Sequence, residues 1–209
     1  RALEAGDFPR AVAIFEGLVE DQRAGEGRRE TARQSLQSVL SLYGQELEGA
    51  GRLEDAQERY QGALELARQR GDQRSEVTLL LRLSQIRTRV EDGEGALTHA
   101  LAAAEVAGGL DAPILAGDAW MRVGDLRFDG DSAGAREAYG FALDAWGNDA
   151  STLARQANVT YNLAALEARD GEIDAAIQRF GRARELALRA DNGGLAERIE
   201  AILEQLENE

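Results

Sequence analysis

A short pattern recurs five times along this chain and constrains the fold more than any other feature. Each occurrence starts at a turn residue, followed after five positions by a small residue, after nine by an aromatic residue or alanine, and after twelve by another small or apolar residue. The turn residues follow one another at a nearly constant interval and are Gly6, Gly51, Glu91, Gly130 and Gly171. Spacings of three and four place side chains on one helix face. A repeat of this length is typical of stacked helical hairpins.

Apolar residues spaced three and four apart predict two helices in each repeat. The second helix of each hairpin is predicted at 8–20, 52–70, 93–107, 132–146 and 172–190. The first helices are predicted at 30–48, 74–90, 113–128 and 151–169, and a capping helix at 192–207. Acidic residues that suit helix N-caps precede four of the second helices, namely Asp7, Asp92, Asp131 and Glu172. Residues 23–27 predict a longer surface loop in the first repeat.

The charge balance argues against nucleic acid as a partner. The chain has a net charge of −14, all of its 24 basic residues are Arg, and no basic stripe interrupts the acidic surface. Nucleic acid is therefore not an expected partner. Two explanations of the acidity stay open: a solvated surface that keeps the chain in solution, or selection for a basic protein partner. Without a transmembrane-length apolar run or a leader segment, the sequence predicts a cytoplasmic location and no membrane association.

The chemical inventory predicts that the chain is not an enzyme and binds no metal or cofactor. The chain has no Cys, no Lys and a single His, which removes the common thiolate, Schiff-base, zinc and phosphate-loop sites. His99 is expected to be an ordinary surface or packed residue. Acidic pairs such as Glu54 and Asp55 flank predicted turns, where capping and solvation explain them better than acid–base chemistry.

The residues resemble the tetratricopeptide repeat family over essentially the whole chain. The resemblance rests on the small, aromatic and small positions of the second helices, and on first-helix runs such as Leu40, Tyr43, Gly44 and Leu47, or Trp120, Val123 and Gly124. The repeat is longer than the family's usual one and is closest to the long-repeat branch. This resemblance implies an all-α fold, a right-handed solenoid of about five antiparallel helical hairpins, and a role in binding peptides or proteins.

On this basis residues 1–209 are expected to form a single array. It would comprise a partial first repeat at 1–20, hairpins at 30–70, 74–107, 113–146 and 151–190, and the capping helix at 192–207. Two repeats depart from the family pattern. The third has Glu91 at its turn and Ala100 in place of an aromatic, which predicts thinner packing. The fourth is one residue short between Trp120 and Gly130, which predicts a tighter or distorted turn.

In this family the first helices line a concave groove, and the resemblance implies which residues would face it here. They combine hydrogen-bonding side chains with apolar ones: Ser41, Gln45, Leu81, Gln85, Met121, Asp125, Phe128, Asn158 and Tyr161. Such a mixture suits a peptide, because amides satisfy its backbone and larger side chains supply anchors. Met121, Phe128 and Tyr161 have an alternative interpretation as core residues. One subset of the family binds the terminal carboxylate of its ligand with residues that include Lys. This sequence has no Lys, so that specialised function is not expected.

The sequence thus predicts a non-catalytic protein-interaction scaffold, and two alternatives stay open. The chain could be the sensor or effector-binding portion of a larger regulator, or a self-assembly module. The helix at 8–20 lacks most of the first helix of its hairpin, so its apolar face is expected to be covered by residues further upstream or by weak homo-oligomer formation through this N-terminal helix.

Overall fold

The computed structural model describes residues 6–206, and every regular element in this range is helical. A partial first repeat is predicted at 1–20, and residues 1–5 of it lie outside the described range. The chain divides into two compact units between Leu110 and Asp111. None of the described helices is both long and apolar enough to cross a membrane.

The first unit contains five helices, each packed on the next. They are α1 (Phe8–Glu20), α2 (Glu26–Gly49), α3 (Leu53–Arg70), α4 (Gln73–Arg89) and α5 (Gly93–Gly108). The helix predicted at 30–48 starts four residues earlier, at Glu26, so the predicted loop at 23–27 is wrong in its second half. Glu26 pairs with Arg29 and with Arg33 at 2.8 Å, and these pairs stabilise the extra turn.

The second unit contains five helices and one short 3₁₀ turn at Ala150–Thr152. The helices are α6 (Pro113–Arg127), α7 (Ser132–Trp146), α8 (Leu153–Arg169), α9 (Ile173–Arg189) and α10 (Gly193–Leu206). α6 pairs with α7, α8 pairs with α9, and α10 packs on α9. Whether the two units form one continuous array stays a prediction.

Side-chain caps mark the start of several helices. Asp7, Asp92 and Asp131 each accept a hydrogen bond from the backbone N–H three residues ahead, as predicted. Glu172 makes no side-chain cap bond, so that prediction is wrong. Glutamate is not among the residues that prefer this position, because its side chain is one methylene too long for the short loop back to the backbone.

The turns between paired helices follow one design with one exception. Gly51 and Gly171 have positive φ, at +76° and +81°, and Glu91 adopts a φ of +61° in the equivalent place. The fourth repeat differs, because Asp131 N–H bonds back to Arg127 and no residue of this turn has positive φ. The missing residue between Trp120 and Gly130 thus changes the turn type, as expected.

Buried tyrosines and small residues form the contact between the helices of a pair. Tyr60 and Tyr139 are almost fully buried, and each ring lies against a glycine of the preceding helix, Gly44 and Gly124. In the third repeat all the buried residues of α5 are alanines. The buried residues of α4, in the same repeat, include the larger side chains Leu80 and Ile86.

Candidate functional site

The first-helix residues predicted to face a ligand divide between the two units, so each unit is considered separately. In the first unit, Ser41 and Gln45 lie one turn apart on α2, with Ser41 half-buried and Gln45 exposed. Leu81 and Gln85 repeat this relationship on α4, where Leu81 is half-buried and Gln85 is exposed. The Gln85 side-chain oxygen accepts a hydrogen bond from Arg82 at 3.4 Å.

A tyrosine–carboxylate pair lies beside these residues in the first unit. The Tyr60 hydroxyl of α3 donates a hydrogen bond to Glu48 of α2 at 2.9 Å, and Arg89 of α4 donates to the other Glu48 oxygen at 3.3 Å. Burial, followed by the contact with Glu48, raises the pKa of Tyr60 above its usual range. The phenol therefore remains a hydrogen-bond donor at neutral pH, and it fixes the Glu48 carboxylate at the C-terminal end of α2.

In the second unit the candidate residues lie on α6 and α8. Met121 of α6 and Phe128, the C-cap residue of α6, are half-buried and pack against the core around Tyr139. Tyr161 of α8 is half-buried and packs against the core around Phe180. Asp125 and Asn158 are exposed. The three larger side chains therefore belong partly to the core, while part of each one remains accessible.

A hydrogen-bonded network joins three helices of the second unit. The Tyr139 hydroxyl of α7 donates to Asp125 Oδ1 of α6 at 2.8 Å. The Asn162 side-chain amide of α8 donates to the Tyr139 hydroxyl at 2.9 Å and to Asp125 Oδ1 at 3.4 Å. Because each group is held by the other two, the network fixes the Asp125 carboxylate before any ligand arrives. We refer to Asp125, Tyr139 and Asn162 as the polar triad.

The charge state of the polar triad follows from its surroundings. Part of the Asp125 side chain is open to solvent, but surrounding protein desolvates its carboxyl enough to raise its pKa. Hydrogen bonding to Tyr139 and the charge of Arg122 oppose that rise. Burial and the neighbouring Asp125 charge raise the pKa of Tyr139, so its hydroxyl keeps its proton. The triad presents the oxygens of the Asp125 carboxyl group and the Asn162 amide oxygen as hydrogen-bond acceptors.

Aromatic and guanidinium contacts hold the larger side chains at the margin of this surface. The Arg169 guanidinium carbon lies 5.4 Å from the centre of the Phe128 ring, and Arg169 also donates to the Phe128 carbonyl at 2.9 Å. Arg198 of α10 lies 5.1 Å from the centre of the Tyr161 ring, whose edge meets Phe180 at 5.4 Å between ring centres. These contacts restrict the positions of the Phe128 and Tyr161 rings.

The structure adds residues that sequence reasoning did not assign to the site. Tyr139 falls at the aromatic position of the repeat and is not among the predicted site residues, although its hydroxyl holds Asp125 in place. Asn162 and Glu48 are also absent from the predicted set. The sequence does contain a sign that these two tyrosine rings pack closely against the preceding helix. Tyr60 and Tyr139, whose hydroxyls donate to carboxylates, each lie against a glycine of the first helix of their pair. Within residues 6–206, no group of three or more acidic or histidine side chains is arranged to hold a metal ion.

Comparisons with solved structures identify the fold. The apo form of RapI superposes with a TM-score of 0.72 at 14% identity, covering 91% of this chain and 75% of RapI. A STAND ATPase with a tetratricopeptide repeat sensor, PH0952 from Pyrococcus horikoshii, gives 0.70 at 16% identity. That match covers 96% of this chain but only 30% of the ATPase. A Rap protein complexed with competence and sporulation factor gives 0.59 at 16% identity, covering 99% of this chain and 62% of that protein.

The chain therefore has the tetratricopeptide-type helical repeat fold, as the sequence predicts. No protein-family model matches the sequence, and no curated protein matches it. Identities this low establish the fold and do not carry a function from those proteins to this chain.

Proposed function

We propose that this chain is a non-catalytic interaction module that binds a peptide or protein segment on the first-helix surface of the second unit. The main support for this proposal is the polar triad. Its Asp125 carboxyl group accepts a hydrogen bond from the Tyr139 hydroxyl, with 2.8 Å between the two oxygens, and yet remains partly open to solvent. An acceptor held in place in the free protein loses little conformational freedom when a ligand binds. On this proposal Asp125 and Asn162 accept hydrogen bonds from the ligand.

The neighbouring residues define the class of ligand. Asn158 is exposed one turn before Asn162 on α8, and Met121 lies one turn before Asp125 on α6. This surface therefore alternates acceptors with apolar anchors, which include Phe128 and Tyr161. Such a surface suits a peptide that carries a basic side chain next to an apolar one. The net charge of −14 supports attraction of a basic segment.

The corresponding surface of the first unit is proposed as a second contact region. Ser41, Gln45, Leu81 and Gln85 combine hydroxyl, amide and apolar groups in the same relative positions on α2 and α4. The complex of a Rap protein with competence and sporulation factor supports the proposal, since that protein shares the fold.

A selection followed by site-directed variants tests this proposal. A random dodecapeptide library displayed on phage would be selected against the intact chain, and enriched peptides would be measured by calorimetry. Asp125→Asn removes the charge and keeps an acceptor for Tyr139, so basic peptides should bind at least about tenfold more weakly. Asp144→Asn changes an exposed carboxylate of α7 and should leave the affinity unchanged. Equal losses in both variants would refute a specific role for Asp125.

A second proposal is that the chain forms the sensor portion of a larger regulator. The support is the likeness to PH0952, in which a tetratricopeptide repeat sensor belongs to a much longer signal-transduction ATPase. The full open reading frame distinguishes this proposal from a free-standing scaffold. An ATPase or DNA-binding domain in the same polypeptide would support the sensor role.

A third proposal concerns weak self-association through α1. Ile14 and Leu18 of α1 are 48% and 36% exposed, and Leu42 of α2 is 50% exposed. Phe15 and Leu42 border an open depression of about 300 Å³ between these helices. Exposed apolar surface of this kind favours contact with another chain. Ile14→Glu should lower the sedimentation-derived mass at high concentration, whereas Leu188→Glu, at a 55% exposed site on α9, should not. A concentration-independent monomer would rule this out.

A further inference from the structure

A polar cavity lies between α7, α8 and α9 of the second unit, away from the polar triad. Its volume is about 90 Å³. The lining includes Gln156 and Thr160 of α8, Arg179 and Arg182 of α9, and the two apolar side chains Leu143 and Leu186. Thr160 and Asn162 are two positions apart on α8, which places them about 200° apart around the helix. The cavity and the triad therefore use opposite faces of α8.

At one position of the cavity wall this repeat has a small polar residue where the three preceding repeats have a large apolar one. In the first helices of the three preceding repeats, the position of Thr160 is held by Trp120, Leu80 and Leu40. Leu80 and Leu40 are buried, at 1% and 6% exposure. A second difference adds charge. Arg182 lies two positions after the buried Phe180, whereas the equivalent position of the preceding repeat, two after Tyr139, is Phe141. Both exchanges replace apolar volume with hydrogen-bonding groups.

Two buried side chains give the cavity a defined polar interior. Gln156 is 8% exposed, and its amide donates to Thr152 Oγ1 at 2.7 Å and to the Gly147 carbonyl at 3.3 Å. These bonds fix the Gln156 side chain. Thr160 is 3% exposed, and its side chain lines the cavity. A threonine hydroxyl in the wall of a cavity can donate a hydrogen bond to a ligand bound there.

The two arginines differ in their charge balance. Arg179 Nε donates to Glu167 Oε1 at 2.7 Å, so its charge is compensated by a buried carboxylate. Arg182 is more exposed and makes no ion pair with the acidic side chains of the described chain. The cavity therefore has one uncompensated positive charge in its wall, although the chain as a whole carries −14.

We propose that this cavity binds a carboxylate group on a short apolar stem. Arg182 would pair with the carboxylate, since a guanidinium matches its planar geometry, and the Thr160 hydroxyl would donate to one of its oxygens. Leu143 and Leu186 would contact the stem. The volume of about 90 Å³ accommodates such a group. The carboxylate would come from a free short-chain acid or from an acidic side chain of a partner protein.

Titration with sodium propionate, followed by NMR of the intact chain, tests the proposal. The amide signals of Gln156, Thr160 and Arg182 should shift and saturate. Arg182→Gln should weaken binding about ten- to hundredfold, the usual loss for a hydrogen bond to a charged group. Thr160→Val keeps the shape and should weaken binding about threefold to tenfold. Arg189→Gln, at an exposed position of the same helix, should bind as wild type does.

Two further ligands identify the chemistry and the source. Inorganic phosphate should bind more weakly than propionate, because the cavity has apolar walls and a single free guanidinium. N-acetyl-glutamic acid α-amide presents the side-chain carboxylate alone; tighter binding than propionate supports a protein source, and weaker binding supports a free acid. Shifts that stay linear, that persist unchanged in Arg182→Gln, or that phosphate produces more strongly would overturn the carboxylate site. None of these readouts depends on the peptide surface of the polar triad, so the two proposals fail independently.

Discussion

Gly124 and Tyr139 are matched in size across the pair of helices α6 and α7. A Cβ atom placed on Gly124 would lie 2.5 Å from two carbons of the Tyr139 ring, closer than any unstrained contact. Gly44 and Tyr60 repeat this relationship at 2.8 Å in the first unit. Absence of a side chain at the glycine lets the ring lie flat against the helix, and this position brings the Tyr139 hydroxyl within reach of Asp125.

Substitution of Gly124 by alanine should destabilise the protein, even though alanine is the better helix former. The added methyl group would displace the Tyr139 ring, at a cost of about 1–3 kcal/mol for overpacking. Gly140→Ala is the matched control, because a Cβ there meets nothing within 4 Å. It should stabilise the protein by about 0.5–1 kcal/mol. Thermal melts would compare the two, and a change of the same sign in both would contradict the proposed match.

The requirement for a glycine opposite a tyrosine ring also predicts how substitutions in the third repeat change stability. Ala100 occupies the tyrosine position there, and Ser84 occupies the position that Gly44 holds in the second repeat. Both residues are fully buried. Ala100→Tyr should therefore destabilise the protein by about 1–3 kcal/mol or more. Adding Ser84→Gly should recover part of that loss, and a double-mutant cycle in urea would measure the coupling. Additive effects would show that these two positions do not face one another.

Removal of aromatic volume and removal of a hydroxyl should have different costs. Tyr139→Ala and Phe180→Ala should each destabilise by about 3–5 kcal/mol, because both rings are buried. Tyr139→Phe keeps the ring and removes only its hydrogen bonds to Asp125 and Asn162, with an expected cost of about 0.5–1.5 kcal/mol. Chemical denaturation of the three variants measures both quantities. A Phe variant as unstable as the Ala variant would show that the hydroxyl, and not the ring volume, dominates.

The raised pKa of Asp125 predicts a pH dependence of stability with a definite sign. Since the folded state holds this proton more tightly than the unfolded state, the free energy of unfolding falls as pH rises from about 4 through the folded-state pKa. Asp125→Asn should remove this contribution. The difference in stability, variant minus wild type, should thus grow more positive between about pH 3 and pH 7. Urea denaturation across this range measures it, and a difference that is constant or declines would contradict the desolvated carboxyl.

Glu91 stores a small amount of backbone strain in the turn between α4 and α5. Its φ of +61° lies in the left-handed region, where Gly51 and Gly171 stand in the equivalent turns. Glu91→Gly should relieve this strain and stabilise the protein by up to about 1 kcal/mol. The gain is reduced because glycine also gives the unfolded chain more conformational entropy. Glu94→Gly, in the first turn of α5, should instead destabilise. Thermal melts would settle the comparison, and a loss of stability in Glu91→Gly would refute the strain.

Periodicity was sufficient to predict the helices, because each repeat buries equivalent positions at a spacing that only a helix matches. The start of α2 was missed, since Gly25 and Gly27 read as loop residues while the ion pairs of Glu26 add a turn. The polar triad could not be predicted from the sequence. It depends on three side chains from α6, α7 and α8 that meet only after the helices pack, and the glycine that accompanies each buried tyrosine does not indicate which groups the hydroxyl will meet.

Photo-crosslinking tests the central proposal, peptide binding on α6 and α8, most directly. Benzoylphenylalanine would be incorporated at Asn158 of α8 or at Asp144 of α7, both of which are exposed. Each protein would then be irradiated with the enriched basic peptide. We expect peptide adducts from position 158 that unlabelled peptide suppresses, and few from position 144. Equal adducts from both positions, or adducts from 144 alone, would contradict it.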